Sequence, residues 1–344
     1  MRALPRSRAE QVCRHLNLLP CSEREENTMI SACQLCDDDT LKLSTVKPGD
    51  ALPSDVIWLD VIQPDDDERC WLEKLFVEDV PDEDEMDDIE SSSRFRVGPD
   101  GVHILSLFPQ RLANDTRGVN MSFTMRKNLL ISFREDDVSI VRLLRNYIRH
   151  DKADIRSAID ILLLLQDLKV DQLSDLIEDA YSTLDETADQ IIDEDSVEDT
   201  LRELVRQEEL NGQILQALYD TRRALRFIKK TFEAILDDRQ NRSIDEVLND
   251  IESILPHTQF LSNKINFQLE ASMGYTNHKQ NKIIKIFSVA AVVFMPPTWI
   301  ASVYGMNFKF MPELDWKFGY PLSIGLMILS ATCTYIFFKK KGWL

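Results

Sequence analysis

The run Ile286–Phe308, IFSVAAVVFMPPTWIASVYGMNF, and the run Phe318–Phe338, FGYPLSIGLMILSATCTYIFF, hold 23 and 21 residues without one charged side chain. At a rise of about 1.5 Å per residue each reaches roughly 30 Å, the hydrocarbon thickness of a bilayer, and a helix buried in a soluble core seldom needs that length uncharged. Two transmembrane helices are therefore expected, over 283–304 and 321–338, with a short external loop at 305–320. Cations sort the two sides: Lys279, Lys282 and Lys285 precede the first span and Lys339, Lys340 and Lys341 follow the second, while the loop sets Lys309 and Lys317 against Glu313 and Asp315. Lys and Arg beside a span tend to stay in the cytoplasm, so both termini are expected there, in a multi-pass protein of the cell (inner) membrane.

The 282 residues before these spans hold no long apolar run and are rich in Asp and Glu, and the whole chain carries a formal net charge of −19. This part belongs in water, and a nucleic-acid partner is not expected. Residues 1–28 have Arg2, Arg6, Arg8 and Arg14 but also Glu23, Glu25 and Glu26, and the apolar patch Leu16–Leu19 stops at Pro20. That patch is too short for a signal peptide, so a disordered extension, or an upstream start before Met29, is the expectation. Residues 29–150 read as an α/β domain: Val56–Ile62 is a β-branched run, Gly101–Phe108 and Val119–Phe133 read as strands, and Pro64–Val77 has helical spacing with acids first. Residues 151–282 switch to a helical period, the expected stalk. One stripe runs from Ile159 to Ile191, a second from Leu201 to Ile235, and a third from Ile244, after an expected cap at Asn241–Ser243, on into the first span. The fold class is thus an α+β membrane protein with two C-terminal transmembrane helices.

Chemistry-bearing motifs are sparse. Walker-type, dinucleotide-binding, zinc-protease and nucleophile-elbow patterns are all missing, so no enzyme is expected. Of six cysteines, Cys33 and Cys36 form one CxxC, which alone is half a zinc site or a redox pair; ordinary thiols are expected. The first span is more informative. Steps of three and four from Asn281 pass through Ile284, Ser288, Ala291, Met295, Thr298 and Ser302, small or polar almost throughout, while Phe287, Val292, Phe294 and Ile300 lie on the other side. Such a stripe lines a water path, or else lets helices pack closely with no pore. Two helices per chain cannot enclose a path for a hydrated divalent ion, so transport would require an oligomer.

Tyr304-Gly305-Met306-Asn307, then Met311-Pro312-Glu313-Leu314 with Trp316, then Gly319-Tyr320-Pro321 opening the second span, resemble the CorA family of magnesium transporters. Trp58-Leu59-Asp60, the acids around Asp88 and Asn281-Lys282-Ile283 agree, so the resemblance runs from Met29 to Leu344. It implies a homopentamer with a funnel-shaped cytoplasmic part, membrane lipids around it, and Mg²⁺, with Co²⁺ and Ni²⁺, as passengers. No permanently bound cofactor is implied; Mg²⁺ is substrate and regulator. Gly305, Met306 and Asn307 would select the ion at the outer mouth, Gly305 by allowing a tight turn and Asn307 by its amide. The expected pore-lining set is Glu270, Asn281, Ile284, Phe287, Ser288, Ala291, Met295, Thr298 and Ser302. Asp88, with Asp245 or Glu246, would bind regulatory Mg²⁺ between subunits. A Zn²⁺ transporter of the same superfamily and a non-conducting membrane-anchored scaffold are the alternatives.

Overall fold

The computed structural model describes residues 30–36, 40–53, 55–76, 94–98, 101–112, 115–150, 154–190, 197–307, 311–312 and 316–342, and the expected extension over 1–28 lies outside them. The chain divides into two compact units, one running to Ala188 and including Arg202–Asn266, the other comprising Asp189–Leu201 and Phe267–Leu344.

The first unit is organised by a sheet. Its strands are β1 (Ile30–Leu35), β2 (Leu41–Thr45), β3 (Val56–Ile62), β4 (Phe95–Val97), β5 (Val102–Leu112), β6 (Asp115–Arg126) and β7 (Leu129–Arg134), in the spatial order β2-β1-β3-β7-β6-β5-β4. All neighbours are antiparallel except β3 and β7, which run parallel with Trp58 opposite Leu130. The sequence VIWLDVI of β3 is buried at every position but the last, as a central strand covered on both faces requires. The stretch Val119–Phe133, expected as strand, is two strands: the chain turns at Lys127–Asn128, where Lys127 takes a φ of 52°. Arg126-Lys127-Asn128 is the polar interruption that marks this turn. Where β5 begins, a Cβ on Gly101 would stand 2.5 Å from the carbonyl oxygen of Met125, so only glycine fits there.

Helix α1 (Asp66–Phe76) starts at a reciprocal cap, in which Glu68 N donates to Asp65 Oδ1 at 2.7 Å and Asp65 N to Glu68 Oε2 at 3.1 Å. Helices α2 (Ser139–Arg149), α3 (Ala158–Gln190), α4 (Val197–Thr231) and α5 (Asp238–Tyr304) follow. The expected stripe on α3 is the buried one, with Leu162, Leu173, Leu176, Ile177 and Leu184 all at most 4 % exposed. On α4 the stripe fails at its end: the helix stops at Thr231, the helical step no longer applies, and Ile235 is 71 % exposed. Helix α5 begins six residues before Ile244 and not after Asn241–Ser243, because Asp237 and Gln240 cap each other (Gln240 N to Asp237 Oδ1, 2.7 Å; Asp237 N to Gln240 Oε1, 3.1 Å).

Two charged clusters are sealed inside this unit. Asp60 on β3 accepts hydrogen bonds from Ser132 Oγ (2.8 Å), Arg134 Nη2 (3.0 Å) and Arg145 Nη2 (2.6 Å), and Trp58 Nε1 donates to Ser132 Oγ at 3.0 Å. Burial alone would raise the Asp60 carboxyl, but the Arg134 charge and hydrogen bonds, then Arg145 and Ser132, outweigh it and hold the group below its ordinary 3.8. Across the sheet, Lys169 on α3 donates to Ser106 Oγ at 2.9 Å and lies 3.6 Å from Asp220 on α4, which also meets Arg94 at 3.1 Å. Burial pushes Lys169 down to about 8, against the pull of Asp220 and helped by the nearby charge of Arg94.

Candidate ion-conduction path

The second unit carries both apolar helices. Helix α5 runs unbroken through Pro296 and Pro297 to Tyr304, and α6 spans Gly319–Lys340. Only 6 % of each apolar window is buried within one chain, so both helices must be covered by lipid or by other copies.

The hydroxyls distinguish the two spans. On α6, Ser323, Ser330, Thr332 and Thr334 each donate to a carbonyl three or four residues back, at 2.7–2.9 Å. Such back-bonded side chains cost little in lipid. On α5, Thr298 Oγ1 likewise donates to Phe294 O at 2.8 Å, but the side chains of Ser288 and Ser302 in the span, and of Asn281 just before it, have no hydrogen-bond partner among the described residues. A polar group in a membrane span without an internal partner requires water or a neighbouring chain.

All seven positions of the expected stripe, Asn281, Ile284, Ser288, Ala291, Met295, Thr298 and Ser302, are exposed in the single chain, as are Val292 and Phe294 on the other side, where Val289 is buried to 4 %. Phe287 is exposed as well, at 72 %, about 100° around the helix from Ser288 but within about 20° of Thr298, eleven residues on. The stripe also continues inward. Steps of four and three from Asn281 reach Asn277, Gly274 and Glu270, all exposed. Asn277 and Gly274 were missed in the sequence reading, although the same period, carried back past the span, finds them.

Beyond Tyr304 the helix closes with Gly305 N donating to Ala301 O at 2.9 Å. Gly305 lies in the turn that ends the helix and has no positive φ: the positive-φ glycines among the described residues are Gly49, Gly101 and Gly342. Its restriction is one of space: a Cβ would lie 3.2 Å from Ala301 O. Gly305, Met306 and Asn307 are all exposed at the helix end.

Of the three expected regulatory acids, two lie among the described residues. Asp245 and Glu246 are exposed on α5, Asp245 is paired with Lys229 Nζ, and Asp88 lies outside the described residues. No group of three or more His, Cys, Asp or Glu that could hold a metal occurs among the described residues. Cys33 is buried and Cys36 partly so, both as free thiols; burial first, then the charge of Cys36, pushes the Cys33 thiol up to about 12, far from a reactive thiolate.

Two apolar helices of bilayer length left uncovered within one chain, α5 with Ser288 and Ser302 unpartnered and α6 with its Ser and Thr hydroxyls bonded inside the helix, define a membrane protein. The model of the family described as CorA-like Mg²⁺ transporter protein matches residues 53–340, and the chain belongs to the CorA family. It is 41 % identical over 323 residues to the magnesium transport protein CorA of Pectobacterium atrosepticum, covering 93 % of this chain and 98 % of that one. Its fold is that of the CorA magnesium transporter of Methanocaldococcus jannaschii, with a TM-score of 0.74 at 18 % identity over 93 % of this chain and all of that one. The ZntB cytoplasmic domain of Vibrio parahaemolyticus superposes with a TM-score of 0.57 at 16 % identity, over 74 % of this chain and all of that one, a likeness of fold alone.

Proposed function

We propose that this chain conducts Mg²⁺ into the cytoplasm, passively and as a homopentamer, along the exposed side of α5. The observation that carries the reading is the set of unpartnered polar groups at Asn281, Ser288 and Ser302, in a family whose relatives are magnesium transport proteins. Mg²⁺ sheds its water reluctantly, so a filter for it should bond to the hydration shell. Waters held by a cation point their protons outward, and the groups that suit them are acceptors. Thr298 meets that need: its own proton is committed to Phe294 O, leaving its lone pairs for the shell. Asn307 supplies an amide oxygen at the mouth, Ile284 and Met295 are apolar constrictions, and five copies of Glu270 would concentrate cations at the inner end. A filter that reads hydrated ions separates similar sizes poorly, so Co²⁺ and Ni²⁺ pass too.

No nucleotide is needed. A divalent ion moving inward through 100 mV releases about 4.6 kcal/mol, twice the per-charge value. Purified protein in liposomes holding a Mg²⁺-sensitive dye should take up Mg²⁺ when a K⁺ diffusion potential makes the interior negative, at a rate that grows with the potential. An intact oligomer that admits none under any potential would be a scaffold, and the proposal would fail.

Regulation follows the same chemistry. Asp88 together with Asp245 or Glu246 binds cytosolic Mg²⁺ between subunits and holds the channel closed; when the ion is lost, the bared carboxylates repel and loosen the contact. Asp88→Lys is expected to leave uptake intact while blunting inhibition by internal Mg²⁺, measured in liposomes preloaded with graded Mg²⁺. Unchanged inhibition would remove Asp88 from the sensor.

A further inference from the structure

One more step of three from Glu270 along the same side of α5 reaches Phe267, so Phe267, Gly274, Asn281, Ser288, Met295 and Ser302 succeed one another at intervals of seven. A strict seven-residue repeat keeps one side of a helix facing a common axis when copies supercoil about each other. Phe267 precedes the start of the first span, at 283, by 16 residues, or about 24 Å of helix, which puts it in water and not in lipid. Yet its ring is 70 % exposed.

The polarity of the helix is inverted at this level. Gln268 and Ser272 are the buried residues, at 3 % and 0 % exposed, while Phe267 and Met273, at 70 % and 60 %, face outward. A helix that met only water on its outer side would place these groups the other way round. Met273 sits one position off the seven-residue repeat; Phe267 sits on it.

We propose that Phe267 forms an apolar ring at the cytoplasmic end of the conduction path, one turn inside Glu270, which bars hydrated ions by dewetting when the subunits draw together. The inference rests on the transport reading above. Acid and aromatic rings then act in series: the carboxylates of Glu270 gather cations, and the Phe267 rings set whether the column of water is continuous past them. Because the barrier is made by excluding water, it depends on the polarity of residue 267 more than on its size.

Leu and Asn side chains have the same branching and the same number of heavy atoms but opposite polarity, which separates a dewetting ring from ordinary packing. In the liposome assay with high internal Mg²⁺, Phe267→Leu should stay near the parent rate, whereas Phe267→Asn should raise uptake roughly tenfold, with the oligomer mass of each variant checked by native mass spectrometry. Equal rates for the two variants, or loss of the oligomer in Phe267→Asn alone, would mean that the ring is packed against protein, and the inference would fall. A parent protein that takes up no Mg²⁺ would instead overturn the transport reading.

Discussion

Asn307→Ala is expected to reduce potential-driven Mg²⁺ uptake by well over tenfold, with the oligomer intact. Asn307 lies exposed at the end of α5, next to Met306 and to Gly305, where a Cβ would stand a tight 3.2 Å from Ala301 O. A hydrogen bond that involves a charged partner contributes about 1.5–3 kcal/mol, and about 1.4 kcal/mol is already a factor of ten. In a symmetric assembly the substitution deletes every copy at once. Asn307→Asp is the informative companion: it keeps an acceptor oxygen and adds charge, so it should retain binding while slowing release. Uptake by Asn307→Ala equal to that of the parent would take the amide out of the filter.

Asp60→Ala should destabilise the first unit by about 3–5 kcal/mol, because Arg134 would lose its buried counter-ion and keep only the solvent-exposed Asp137, at 3.3 Å. Arg134 and Asp60 each have side chains only 1 % exposed, and they meet at 3.0 Å. Domains of this kind are stable by about 5–15 kcal/mol in all, so the loss is a large share of the total. Trp58 provides the readout, since its indole bonds to Ser132, which in turn bonds to Asp60. The fluorescence midpoint in urea should fall sharply in the single variant. It should largely recover in Asp60→Leu with Arg134→Leu, where nothing charged is left buried; Arg145, at 26 % side-chain exposure, can reach water. A single variant as stable as its parent would contradict the account. The sign with pH is also fixed. The Asp60 carboxyl is held below its ordinary 3.8, so its contribution is complete above that value and is lost as pH falls through the lower folded one.

The membrane helices were legible because an uncharged run of that length has few other uses, and the polar stripe of α5 because its period is a property of one helix. Signals that depend on a competing local partner were harder to place. The cap of α5 was read at Asn241–Ser243 from residue type, yet Asp237 with Gln240, a few residues earlier, is the pair that closes both hydrogen bonds. Val119–Phe133 was read as strand because its eight apolar residues outweigh the polar triplet that breaks it. The sealed charge clusters could not be read at all. Asp60 and Arg134 are 74 residues apart, and Lys169 and Ser106 are 63 apart, joined only when the sheet is assembled. What restricts Gly305 could not be read either: glycine reports that a Cβ is unwelcome, not whether the backbone angle or a nearby carbonyl is the cause.

The sheet ends in two unequal strands. On one side β4 is only three residues long; on the other β2 is five residues long and carries Lys42. Short or cationic borders of this sort offer a poor template for another strand, which is how natural sheets avoid fusing side by side. Copies of this chain brought side by side are therefore not drawn into one continuous ribbon of sheet, and each sheet keeps its own borders.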